Sequence, residues 1–243
     1  MKLSIYFQNV RGLRSKTSIF YLNLLASSYD IVCLNETFLN DSIMDGELFT
    51  DDYVVYRKDR NLRLFPNKVD GGGVLVAVHK KFQSFRITEW EVYVEELWIG
   101  LPYAFGTTLY INVPYISNAR SVDYDTYFDN VSAIINTHAN DNFILIGDFN
   151  IPKITWEISD DLILPVNIDG DLSGQYLIEM MNFSNMFQYN DVRNKNGRIL
   201  DLIISNLESN NITVSPATSI LSRIDEHHPP LELVINMIKL IML

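Results

Sequence analysis

"NDNFILIGDFNIPKITW", residues 140–156, opens as a buried β-strand and ends in a different chemistry. Phe143, Ile144, Leu145 and Ile146 form the short apolar run expected of a strand covered on both faces. Gly147 interrupts it, and Asp148, Phe149 and Asn150 then place a carboxylate and an amide at the strand end. Residues two apart on a strand share a face, so Asp148 and Asn150 are expected to project together onto one ligand. A carboxylate can take a proton or hydrogen bond from water, while an amide both donates and accepts. An ordinary turn is the alternative reading of this short motif alone, since Asp and Asn readily bond their own backbone.

Working outward, the same change from apolar run to polar terminus recurs. "LSIYFQN" ends at Asn9, "DIVCLNE" at Glu36, and "ILDLIIS" carries Asp201 near its start. The final apolar run follows "IDEHHPPLEL", which holds Asp225, Glu226, His227 and His228. Strands are expected at 2–8, 30–35, 53–56, 73–78, 96–101, 108–115, 143–147, 199–204 and 231–236. Between Ser121 and His138 the apolar positions Tyr124, Tyr127, Phe128, Val131, Ile134 and Ile135 mark one stripe of an amphipathic helix. Further helices are expected near 18–27 and 172–184. Strands that mostly neighbour strands, with helices between some, predict an α+β sandwich of two packed sheets with helices outside. Rigid strand ends can then hold the polar groups in a fixed constellation.

The 243 residues, 47% of them hydrophobic, suffice for one domain with a substantial core, expected over 1–236 with a tail at 237–243. Cys33, the single cysteine, excludes an internal disulfide framework and reads as a small hydrophobe in a strand, which favours a reducing compartment. "MKLSIYFQNV" lacks the apolar block of a signal peptide, and "LELVINMIKLIML" falls short of the roughly 20 apolar residues of a membrane span. Neither secretion nor membrane insertion is therefore expected.

A net charge of −11 opposes nucleic-acid binding unless cations cluster locally or a bound metal neutralises the site. The densest positive run, "YRKDRNLRLFPNK", contains Arg57, Lys58, Arg60, Arg63 and Lys68, and Arg11, Arg14 and Lys16 follow the first strand. A solvated loop and a DNA backbone contact are the two readings of that run. Gly71 to Gly73 read as a tight turn before a strand, because no helix follows to offer an anion-binding terminus. His79 and His138 read as surface residues, and Trp156 as either a stacking residue or a core aromatic.

Glu36, Asp225 and Glu226 offer hard oxygen ligands of the kind that bind Mg²⁺ with several retained waters. Paired histidines without a Cys or His partner cluster do not suggest zinc. Together with a histidine, the set has the parts for phosphodiester hydrolysis: a metal for phosphate charge, Asp148 for the attacking water and an imidazole at the phosphoryl group.

The ordered segments "FQNVRGL", "CLNET", "DGGGVLVAV", "VPYIS", "IGDFN", "ILDLIISN" and "DEHHPPL" resemble the endonuclease/exonuclease/phosphatase superfamily with the DNase I-like fold, over nearly the whole chain. They look most like the apurinic/apyrimidinic endonuclease-like domain of non-LTR retrotransposons. The resemblance implies a four-layer sandwich, two mixed sheets flanked by helices, and dependence on Mg²⁺, with Mn²⁺ as a substitute. It aligns Asn9 with the asparagine beside the metal and Glu36 with the metal-binding glutamate. Asp148 and Asn150 match the Asp-x-Asn motif that positions water and scissile phosphate, and Asp201 matches the aspartate that orients the catalytic histidine. Where the family carries Ser-Asp-His, this chain has "IDEHHPPL". Counting back from "LELVI" aligns His228 with the catalytic histidine, His227 being runner-up, and the preceding acid is Asp225 or else Glu226. Tyr115 aligns with the family tyrosine, Tyr110 being its substitute, although the proline that normally follows is missing. Arg11 stands where repair enzymes carry aspartate, a departure that suits the retrotransposon branch.

Taken together, the resemblance implies an endonuclease that nicks duplex DNA, with Arg11, Arg14, Arg57, Lys58 and Arg60 on the backbone. Its 3′-hydroxyl product would prime a reverse transcriptase of the same polyprotein, in the nucleus after synthesis in the cytoplasm. The alternatives are a phosphomonoesterase or phospholipid phosphatase of the same superfamily, and a catalytically inactive binding module.

Overall fold

The computed structural model describes residues 2–60, 71–92, 95–102, 106–116, 121–159, 162–166 and 170–236, without the side chains of 121 and 122. The expected tail at 237–243, and Arg63 and Lys68 of the basic run, lie outside the described residues.

Two mixed sheets face each other. The first contains β1 (Lys2–Asn9), β2 (Ile31–Asn35), β3 (Tyr53–Lys58), β4 (Val74–His79), β13 (Ile212–Pro216) and β14 (Leu231–Asn236), in the order β13-β14-β1-β2-β4-β3. The second contains β5 (Phe85–Arg86), β6 (Glu95–Pro102), β7 (Thr108–Tyr115), β8 (Asn142–Asp148), β9 (Thr155–Ser159), β10 (Leu162–Val166), β11 (Phe187–Gln188) and β12 (Asp201–Ser205). Their order is β5-β6-β7-β8-β12-β11-β10-β9. Each sheet has one parallel pair, β1 with β2 and β7 with β8. A parallel pair needs a long crossover, supplied by α1 (Thr17–Leu25) in the first case and α2 (Ser121–Thr137) in the second. The third helix, α3 (Leu172–Phe183), packs with α2.

Side-chain alternation assigns the layers. Leu3, Ile5 and Phe7 of β1 meet Ile111 and Val113 of β7 and Ile144 and Ile146 of β8 in the core between the sheets. The opposite row of β8, Phe143 and Leu145, packs under Tyr127, Phe128 and Val131 of α2 and Leu177 of α3. Tyr6, Val32 and Leu34 cover the other outer face with Phe20 and Leu24 of α1. The result is the four-layer DNase I-like sandwich that the resemblance implied. No helix among the described residues is long and apolar enough to cross a membrane.

This alternation also explains where polar groups gather. The inward rows of β1, β2, β7, β8 and β12 extend, two residues on, to Asn9, Asn35, Tyr115, Asp148 and Asp201. Asn9 pairs with Asn35, and Asp148 lies between Tyr115 and Asp201 in its ladder. Apolar rows therefore turn polar together at one end of the sandwich. One expectation needs correction: Asn150 is not on the strand. β8 ends at Asp148, where its partner strand begins, and Asn150 adopts φ +49°, a left-handed conformation that asparagine tolerates. Its N–H donates to Asp148 Oδ1 at 3.1 Å, so the turn and the cluster coexist in one motif.

Candidate active site

Two hydrogen bonds tie the sheets together at this end. Asn9 Nδ2 donates to Asp148 Oδ2 at 3.0 Å, and the Asp148 backbone N–H donates to Asn35 Oδ1 at 3.0 Å. All three residues are buried. Asn35 was not anticipated as a site residue. Its signal was a polar residue continuing the apolar row Ile31, Cys33, beside Asn9 and before Glu36.

His228 is the histidine that enters the cluster. Its Nδ1 lies 3.1 Å from both carboxylate oxygens of Asp201, and its Nε2 lies 3.9 Å from Asp148 Oδ2. His227 contributes backbone contacts instead, its N–H donating to Asp225 Oδ1 at 2.7 Å. Burial alone would lower the His228 pKa, but the charge and hydrogen bond of Asp201 outweigh it and raise it to about 9. The ring is thus cationic at neutral pH. Burial, reinforced by the charge of Asp201, raises Asp148 to about 7, and burial raises Asp201 as well.

Glu36 enters from the segment after β2. It is half-buried, adopts φ +51°, and accepts a hydrogen bond from the Tyr115 hydroxyl. Burial and the charge of Glu36 raise the Tyr115 pKa, so the phenol keeps its proton. Tyr110, the alternative tyrosine, lies instead among Trp90, Phe143 and His138. Among the described residues, four of the five non-glycine residues with positive φ, Arg11, Glu36, Phe38 and Asn150, border this cluster. Such strain gathers where surrounding contacts over-determine the backbone, as in ligand sites.

The donor set fits a hard divalent cation. Glu36 supplies a carboxylate and Asn9 Oδ1 an amide oxygen, which also accepts the Arg11 N–H at 3.2 Å. The charges of Glu36 and Asp225 both reach Asp201, so the acidic groups share one field that a cation would relieve. Asp148, Asp201 and His228 offer ligand atoms within 4.8 Å of one another. His228 already engages Asp201 through Nδ1, however, and a hard cation prefers oxygen, which leaves the carboxylate and amide oxygens as the better donors. Asp225 Oδ2 pairs with Arg11 Nε at 2.9 Å, while Glu226 points away to Lys195 at 3.0 Å.

The cations fall into two sets. Arg57, Lys58 and Arg60 turn to acidic side chains of the same chain: Arg57 to Asp59 and Asp45, Lys58 to Glu91, and Arg60 to Glu95. Arg60 exposes 6% of its side chain, a placement unlike the phosphate contact expected of it. Arg11 and Arg14 are exposed. Arg11, Lys16, Lys195 and Arg223 line a cleft of about 630 Å³ with Asp225, Glu226 and His227, where Arg11 and Lys195 pair with the two acids. Lys153, Arg193 and Arg198 line another of about 410 Å³ beyond Asn150. Lys153, Arg193, Lys195, Arg198 and Arg223 were not singled out from the sequence, because their convergence depends on loops far apart in the chain. Trp156, 2% exposed, belongs to the core beneath α2 and α3, and His138 is half-buried against Trp90 rather than free on the surface.

Comparison with solved structures places the same architecture in several proteins. The endonuclease domain of TRAS1, a telomere-specific non-LTR retrotransposon, superposes with a TM-score of 0.66 at 10% identity, covering 98% of this chain and 100% of that one. The human Nocturnin catalytic domain gives 0.62 at 15% identity, covering 97% and 93%, and an AP endonuclease from Archaeoglobus fulgidus gives 0.59 at 14%, covering 97% and 100%. At these identities the likeness is one of fold. No curated protein matches the sequence. The pattern of the Endonuclease/Exonuclease/phosphatase family matches residues 6–216, and the chain belongs to that family.

Proposed function

We propose that the chain is a divalent-metal-dependent endonuclease that nicks one strand of duplex DNA and leaves a 3′-hydroxyl. The observation that carries this reading is the His228–Asp201 pair beside Asp148, flanked by two open clefts lined with cations. A polyanionic strand fits such a surface better than does a single phosphorylated headgroup, because phosphate contacts from Lys and Arg position a backbone without reading sequence. The 3′-hydroxyl would serve as primer for a reverse transcriptase of a longer polyprotein acting on nuclear DNA.

In this mechanism Asp148 orients the water and takes its proton, suited to that by a pKa near neutrality. Water oxygen bonds to phosphorus, the P–O3′ bond breaks, and O3′ leaves as a hydroxyl by taking a proton from solvent, to which Asp148 returns the one it accepted. Asn9 fixes the Asp148 carboxylate, and His228, held charged by Asp201, places its proton at a phosphate oxygen. Glu36 and Asn9 would hold Mg²⁺ or Mn²⁺, with Asp225 joining only by releasing Arg11. When bound, the metal supplies positive charge at the phosphate oxygens and the leaving oxygen.

Supercoiled plasmid incubated with the protein and Mg²⁺ tests the reading, with EDTA and Asp148→Ala as controls. Conversion to open circles that disappears in both controls is the expected result. A folded, metal-loaded protein that leaves the plasmid intact but cleaves a phosphomonoester or phosphoinositide would replace the endonuclease by a phosphatase.

A further inference from the structure

Arg60 sits in the basic run yet is almost wholly enclosed. Its Nε and Nη2 donate to the two carboxylate oxygens of Glu95 at 2.9 and 2.8 Å, and the Glu95 side chain is itself 8% exposed. Burying such a pair costs desolvation that its attraction often fails to recover, so stability alone is a weak reason for it. Its surroundings suggest another role.

On one side, Glu95 stands directly opposite Tyr115 in the β6–β7 ladder. The guanidinium carbon lies 5.9 Å from the centre of the Tyr115 ring, within cation–π range. The hydroxyl of that ring donates to Glu36 Oε1. On the other side, Gly71 to Gly73 run past the ion pair with φ of +114°, +68° and +86°. A Cβ on Gly72 would fall 2.3 Å from Arg60 Nε and Glu95 Oε2, so only glycine permits the approach. The carbonyls of Gly72 and Gly73 accept the N–H groups of Phe38 and Thr37 at 2.9 and 3.2 Å, immediately after Glu36. Arg60 therefore touches both supports of Glu36: the ring that bonds its carboxylate and the glycine strap that pins its backbone.

We propose that Arg60, clamped by Glu95, is a positioning residue for Glu36 and sets the divalent-cation affinity of the site. The inference rests on the reading of Glu36 as a cation ligand. The planar fork of arginine holds Glu95 at two points while its face meets Tyr115, and lysine can do neither. Outer-shell partners of this kind typically change metal affinity by about 10- to 100-fold when removed.

Calorimetric titration of the full chain with Mn²⁺ tests this without DNA or turnover, comparing wild type, Glu36→Gln, Arg60→Lys, Tyr115→Phe and the Arg60→Lys/Tyr115→Phe double variant. Circular dichroism of each metal-free protein checks the fold, and Arg60→Lys keeps the charge where Arg60→Met risks unfolding. The expected result is binding abolished by Glu36→Gln and weakened about 10-fold or more by Arg60→Lys, with the loss in the double variant smaller than the two single losses combined. Wild-type affinity in folded Arg60→Lys, with Glu36→Gln still inactive in binding, overturns the positioning role alone. Additive losses in the double variant overturn the route through the Tyr115 ring and leave the positioning to the glycine strap. Equal binding by wild type and Glu36→Gln overturns the cation reading of Glu36 itself, and the inference with it.

Discussion

The Asp148 backbone N–H donates to Asn35 Oδ1 at 3.0 Å, from one sheet to the other, with Asn35 wholly buried and Asp148 1% exposed. The side-chain Nδ2 of Asn35 is buried and meets no hydrogen-bond partner among the described residues. The residue is therefore kept for its acceptor, which fixes the main chain at the end of β8. Asn35→Leu, similar in size, strands the Asp148 N–H and should cost about 1–3 kcal/mol. Urea unfolding would register that loss. Plasmid nicking should fall further than stability explains, because the water-positioning carboxylate would lose its backbone anchor. Wild-type nicking in Asn35→Leu would show that Asn9 alone suffices to hold Asp148.

His228 and Asp201 are expected to behave as one unit. Replacing His228 by Ala should reduce nicking about 10²- to 10⁴-fold. Asp201→Asn should approach the same loss, since the charge and bond that keep the imidazole protonated would be gone. Because both changes remove one function, the double variant should be little worse than either. Single-turnover rates would decide it. Fully multiplicative losses would mean that Asp201 has a task separate from orienting His228.

The sequence disclosed this site because alternation carries information to the last residue of a strand. Asn9, Asp148 and Asp201 continue inward rows that begin with Ile5 and Phe7, Ile144 and Ile146, and Ile203, so their convergence follows from strand parity once the sheets face each other. Asn35 obeys the same rule. What was not legible follows different physics. β5 and β11 span two residues each, too short for any periodicity, while the edge hairpin offers only Trp156 and Ile158 as alternate apolar positions on β9 and an unbroken apolar run on β10. Charge clustering along the chain was likewise a poor guide. The run at Arg57 to Arg60 is absorbed by its own Asp59 and by Asp45, Glu91 and Glu95, partners that folding brings to it, while Arg223 reaches a cleft lined by Lys16 and Lys195 from other parts of the chain.

Those cleft cations make the DNA reading quantitative. Arg198→Ala and Arg223→Ala each remove one exposed charge, from one cleft and from the other. If each meets one phosphate, each should weaken duplex binding uniformly across sequences and reduce the slope of log K against log salt by about 1. Fluorescence anisotropy over a salt series, with metal withheld so that the duplex stays intact, would measure it. An unchanged slope in both variants would remove the clefts from the DNA path.

A pH dependence should also arise on the outer face of the second sheet, behind the candidate site. Glu96 is wholly buried beneath α2, where its carboxylate accepts the Val92 N–H at 2.7 Å, Trp98 Nε1 at 3.0 Å and Asn112 Nδ2 at 2.9 Å. Burial, only partly opposed by the Asn112 and Val92 hydrogen bonds, pushes its pKa from 4.5 up to about 7. Below the ordinary value Glu96 is protonated in both folded and unfolded chains, and its contribution to stability is fully present. As pH rises, the unfolded chain releases the proton first, so stability is lost until the folded form ionises near 7, after which the loss is constant. At about 1.4 kcal/mol per pKa unit, the change is on the order of 3 kcal/mol. Glu96→Gln has no proton to lose. The difference in unfolding free energy between wild type and Glu96→Gln should therefore shift by that amount between pH 4 and 8, whatever the catalytic carboxylates contribute to both proteins. A constant difference would mean that the three N–H donors balance burial, and a shift of the opposite sign that they outweigh it.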